Sequence, residues 1–184
     1  MTNNFLLGYA CINIELSTQK KKVTTNRGMI KRTFQSKGIE YASELARLNV
    51  NDLHEILVWN HRNDVRVFRM SSCLFPWASE YRLTDLPDYE EISDSLRRAG
   101  DYAQANNIRL SFHPGPFNIL ASPKEKVVEN AIKDLNTHGE IMDIMGMPKD
   151  HNAKINIHVG ASYGDRAGSM KRFCENFTRL SESA

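Results

Sequence analysis

Cysteine is scarce: three residues in 184, at positions 11, 73 and 174, with no CxxC spacing. An odd, widely spaced set excludes a disulfide-stapled scaffold and fits reduced thiols in a cytosolic, intracellular compartment. No apolar run approaches the roughly 18 residues that a membrane span needs, so no membrane partner is expected. The opening MTNNFLLGYAC resembles a lipoprotein signal only superficially. It lacks a basic first region, and its apolar stretch is about half a signal core. Neither sign of charge dominates, with 24 Lys+Arg against 22 Asp+Glu and a net of +2. A net so small does not by itself point to nucleic acid, and local clustering must carry that inference. The remaining composition, 41% hydrophobic and 25% charged, excludes wholesale disorder and fits one globular domain over residues 1–184.

The pattern along the chain is one of repeated form. Residues 5–12 are a short apolar run with no helical period, and read as a first strand. Residues 17–38 hold Lys20, Lys21, Lys22, Arg27, Lys31, Arg32 and Lys37 and no acid, and read as a basic loop. From 39 to 60, Ala42, Leu45, Ala46, Asn49, Leu53, Ile56 and Leu57 share one helical face. Strands are expected at 65–70, 108–112 and 154–159, and helices at 89–106, 123–145 and 167–180. Ser122, Pro123 and Glu125 have the spacing of a capping box before the third helix. The order βαβαβαβα implies parallel strands with helices packed outside. It admits an open doubly wound sheet or part of a (β/α)8 barrel. A whole barrel needs roughly 250 residues, so four units would be half of one.

Two histidines hold matched places in this pattern. The third strand ends Ser111-Phe112-His113-Pro114-Gly115, and the fourth ends Asn156-Ile157-His158-Val159-Gly160. In parallel α/β folds functional side chains project from the C-terminal ends of strands. Both imidazoles are therefore expected on one face, as catalytic groups or as nitrogen ligands of one divalent metal. Glu80, in the loop after the second strand, is a third candidate ligand above the same face. His54, His61, His138 and His151 fall on helices or in a polar turn, and are not expected there.

The segments GYACIN, FPWASEY, SFHPGPFNILASP and INIHVGASYGD occur in order along the chain. Together they resemble the ultraviolet-damage endonucleases, which share a (β/α)8 barrel superfamily with endonuclease IV and xylose isomerase. The resemblance spans about residues 5 to 180. It implies a TIM-type (β/α)8 barrel of which this chain carries about the first four βα units. It also implies a cluster of divalent metals, Mn²⁺ with Zn²⁺ or Fe²⁺ as alternatives, and incision of double-stranded damaged DNA 5′ to a pyrimidine dimer or (6-4) photoproduct. By this match His113, His158 and Glu80 are metal ligands, and Tyr9, Asn13 and Phe117 lie near the damaged strand. The basic residues Lys20, Lys21, Lys22, Arg27, Lys31 and Arg32 would contact phosphates. One position departs from the family. Members read Gln then an aromatic after HPG, whereas this chain reads Pro116-Phe117.

Such enzymes continue through four further βα units that carry more ligands, so a C-terminal half of the barrel is expected to be missing. Two other readings stay open: a DNA-binding fragment without catalysis, and a sugar isomerase-like barrel. A small sugar has no use for the basic stretch, which argues against the isomerase.

Overall fold

The computed structural model describes residues 5–160 and 162–184; the first four residues of the signal-like start lie outside them. Four strands, β1 (Leu7–Ala10), β2 (Val65–Ser71), β3 (Arg109–His113) and β4 (Ala153–Ile155), form one sheet in the order β1-β2-β3-β4. Every neighbouring pair is parallel. The helices are α1 (Ile14–Ser17), α2 (Lys31–Arg62), α3 (Tyr89–Ala105), α4 (Glu125–Ile144) and α5 (Arg166–Phe177).

Strand alternation decides which side the helices cover. Phe68 and Met70 of β2, with Leu110 and Phe112 of β3, are fully buried. They pack with Val50, Leu53 and Leu57 of α2 and with Leu96, Ala99 and Ala103 of α3 in one core. Burial of each such large side chain contributes about 1.5–3 kcal/mol. The alternate residues, Val67, Arg69, Arg109 and Ser111, line the opposite face, which stays open. A doubly wound sheet carries helices on both faces. Consecutive strands with one-sided helices are a different arrangement.

Three expectations need correction. The basic stretch is not all loop, because α2 begins at Lys31. Gly38 breaks that helix with φ 70° and ψ −160°, a backbone state closed to other residues. The turn before it is held by Phe34 stacked on Trp77, ring centroids 6.0 Å apart. The capping box at Ser122 does not form. Ser122 Oγ instead accepts from Lys124 N at 3.1 Å, and α4 starts at Glu125 without a side-chain cap. The fourth strand is shorter than expected, although Asn156 N still donates to Phe112 O at 3.1 Å and so carries the pairing one residue further. Helix α5 is tied down by Arg172 and Asn176, which donate to the carbonyls of Ala121 and Leu120 at 3.0 and 2.8 Å.

Candidate metal and DNA-binding site

His113 closes β3, and its register partner on β2 is Ser71. His158 lies in the extended segment after β4. The two rings meet edge-on, with centroids 5.4 Å apart and planes at 73°. The two histidines therefore do converge, although His158 stands three residues past the end of β4. Nδ1 of His113 is buried and has no hydrogen-bond partner. Burial lowers the pKa of His113, and the nearby charges of Arg69 and His158 lower it further. The neutral ring keeps a lone pair for a metal or a proton. Two imidazoles at this spacing can fill two positions around one divalent ion, since metal–nitrogen bonds are short, about 2.0–2.1 Å for zinc.

Glu80 does not join them. Trp77 adopts a left-handed backbone, φ 61° and ψ 32°, just before the 3-10 turn Ala78–Glu80. Glu80 is exposed and lines a separate cleft with Arg82, Lys133 and Glu140. Among the described residues no three His, Cys, Asp or Glu side chains gather as a metal set.

Tyr9 and Asn13 are hydrogen-bonded to each other within the fold. In β1 the alternate residues Gly8 and Ala10 line the open face. Tyr9 turns to the helix side, its ring 5.1 Å from that of Phe68. Its hydroxyl donates to Asn60 Oδ1 at 2.7 Å and accepts from Asn13 Nδ2 at 3.0 Å. Asn13 is buried, and its Oδ1 accepts from Leu16 N at 3.0 Å to cap α1. Both side chains are engaged in holding β1, α1 and α2 together. Phe117 is 84% exposed in the loop after β3. With Trp77, Asn118 and Tyr163 it lines a cleft of 630 Å³.

The basic stretch reaches the strand ends through its neighbours. Ser71 Oγ donates to Asn26 Oδ1 in a short hydrogen bond. Arg27 N donates to Asn49 Oδ1 at 3.0 Å, while Asn49 Nδ2 donates to the carbonyls of Arg27 and Cys73 at 2.9 and 3.0 Å. Trp77 Nε1 donates to Met29 O at 2.9 Å. These bonds seat residues 26–29 beside Ser71, and hence beside His113. Arg27 is not available to a phosphate in this arrangement, because its guanidinium pairs with Asp52 at 2.7 Å. Lys20, Lys21, Lys22, Lys31 and Arg32 are exposed, and among the described residues none of their side chains forms an ion pair.

Two residues that sequence reasoning passed over stand at the site. Arg69, one pleat below Ser71, projects onto the open face near His113. The available signal was a charge within a strand that also holds Val65, Val67, Phe68 and Met70. Asn49 was counted only as one of a helical stripe, yet it is fully buried and bridges two loops.

A parallel α/β sheet with two imidazoles meeting past the ends of its third and fourth strands defines an α/β protein with a candidate site at that edge. The comparisons make the class specific. Residues 5–184 match the family model described as UV-endonuclease UvdE, and the chain belongs to that family. A UV-damage endonuclease of Schizosaccharomyces pombe is 36% identical over 179 residues, covering 96% of this chain and 30% of that protein. A UV DNA damage endonuclease of Clostridium perfringens is 32% identical over 178 residues, covering 97% of this chain and 40% of that protein. The solved crystal structure of SacUVDE superposes with a TM-score of 0.81 at 30% identity, covering 97% of this chain and 57% of that one. The chain thus spans about a third to three fifths of the length of these relatives.

Proposed function

We propose that this chain forms the first four βα units of a (β/α)8 barrel, and that the barrel is a DNA-repair endonuclease cutting 5′ to ultraviolet photoproducts. Consecutive parallel strands with one-sided helices support the barrel reading. One observation carries the site: the two imidazoles following neighbouring strands, ring centroids 5.4 Å apart, one with a buried and unpartnered Nδ1.

In this reading His113 and His158 hold a divalent ion, for which Mn²⁺, Zn²⁺ and Fe²⁺ are all chemically suitable. Such an ion neutralises charge on the scissile phosphate and lowers the pKa of a bound water. The chain's own residues do the rest. Burial lowers the pKa of His113 and so favours its neutral ring. Ser71 and Asn26 brace the loop that lies beside it. Lys20, Lys21, Lys22, Lys31 and Arg32 position the duplex through its phosphates, and Phe117 offers an exposed ring at the lesion, where damaged stacking makes opening least costly. The substrate is double-stranded DNA carrying a dimer or (6-4) photoproduct, which places the activity inside the cell.

The family's other metal ligands lie beyond the four units in this reading, so the chain alone supplies DNA and partial metal binding. The test uses a chimera in which the part of SacUVDE beyond the shared region is joined to this chain. With Mn²⁺ it should nick an end-labelled duplex immediately 5′ to a single thymine dimer. His113→Ala and His158→Ala should each abolish the nick while leaving the circular dichroism spectrum intact. Nicking at wild-type rate by either variant would refute the assignment.

A further inference from the structure

The face of the sheet turned away from the helices is an open trough of 580 Å³. Its wall includes Arg69, Arg109 and Lys154, and no Asp or Glu among the described residues. Ser111 pairs in register with Arg69 on one side and Lys154 on the other, so these two cations stand at one level of the sheet. Arg109 is one pleat lower, opposite Val67. Its Nη2 donates to His151 O at 2.8 Å, but its Nε is buried and has no partner. Among the described residues none of the three forms an ion pair.

An open sheet face tolerates such charges because water solvates them. Covering it removes that water, and an enclosed cation without a counter-charge is strongly disfavoured. Whatever covers this face must therefore bring carboxylates at defined heights. We propose that the trough docks a polypeptide of further βα units whose inward side chains carry carboxylates opposite Arg69 and Lys154 at one level and opposite Arg109 at the level below. The inference rests on the barrel reading and adds the chemistry of the completing surface. A second copy of this chain is the wrong occupant, since it would set the same three cations against these three.

The chimera described above provides the test, beside the chain alone. Lys154 is exposed in the chain. Acetic N-hydroxysuccinimide ester, read by peptide mass spectrometry, should acetylate it as fast as Lys20, Lys21 and Lys22. In the chimera its labelling should fall at least tenfold, while the other three stay unchanged. A carbodiimide, which joins amine and carboxylate directly with loss of water, should link Lys154 to an Asp or Glu of the appended part. Arg69→Gln should lower the thermal midpoint of the chimera by several degrees and leave that of the chain alone unchanged. If Lys154 stays reactive in the chimera, the face is not covered, and the barrel reading fails together with this proposal. If Lys154 is protected but neither the cross-link nor the Arg69→Gln effect is found, the barrel stands and the carboxylate proposal alone is overturned.

Discussion

Replacing Lys20, Lys21 and Lys22 together by Gln measures how the basic stretch meets DNA. The sequence counts seven cations in this stretch, but the structure leaves fewer for phosphate. Arg27 is held by Asp52 at 2.7 Å, and Lys37 Nζ sits 4.0 Å from the centre of the Tyr41 ring. Five cations remain, three of them in the triplet. Each phosphate neutralised on duplex DNA contributes about 0.9 to the slope of log K against log salt. Five contacts give a slope of about −4.5, and the variant should show about −1.8. Between 50 and 200 mM salt the unaltered chain should lose about 500-fold in affinity and the variant about 12-fold. Fluorescence anisotropy of a labelled duplex across that range reads both slopes. The loss should be equal for damaged and undamaged duplex, because phosphate contacts position and do not specify. Arg27→Gln is the internal control, with little expected change in slope. Parallel lines for the triple variant and the unaltered chain would refute the reasoning and reduce the triplet to a solvated turn.

Three further outcomes follow from the same geometry. Asn49→Ala should destabilise the fold by about 3 kcal/mol in urea titration, since it leaves buried carbonyls and one N–H without their bonds; a loss under about 1 kcal/mol would mean that those bonds are readily replaced. Glu80→Ala should leave Mn²⁺ affinity within about twofold, because Glu80 lines a different cleft; a tenfold loss in calorimetry would return it to the ligand set. The His113 ring should titrate by NMR with a midpoint below 6.5, the value of a free imidazole. The unfolded chain then binds more protons as pH falls below 6.5, so this group's contribution to stability is complete above that value and is lost down to the folded midpoint; a midpoint at or above 6.5 contradicts the burial account.

The frame was legible because its signals are periodic. The short segment Val65–Ser71 reads as a strand, and the helical stripe from Ala42 to Leu57 reports one buried face. The convergence of His113 and His158 was legible from their places after consecutive parallel strands, although His158 stands three residues past the end of β4 rather than in register with His113. What failed to show depends on contacts rather than period. Residues 31–37 carry no apolar stripe, and their helix is held by Phe34 on Trp77, which no local pattern announces. The turn that carries Glu80 follows one left-handed residue, Trp77, whose side chain gives no hint of that backbone. Tyr9 was ambiguous because a strand gives an aromatic residue two faces, and its neighbours Gly8 and Ala10 do not say which is buried. Arg69 and Arg109 looked like ordinary interruptions of apolar strands. Their meaning rests on having no carboxylate across the sheet, and that requires the register.

The central claim is that His113 and His158 bind one ion together. Substoichiometric Mn²⁺ added to the isotopically labelled chain tests it directly, because a paramagnetic ion broadens the ring protons nearest to it. The account predicts that the His113 and His158 resonances broaden in step at the same metal ratio, while His54, His61, His138 and His151 keep their linewidths. Broadening of one of the pair without the other, or equal broadening of all six, would contradict it.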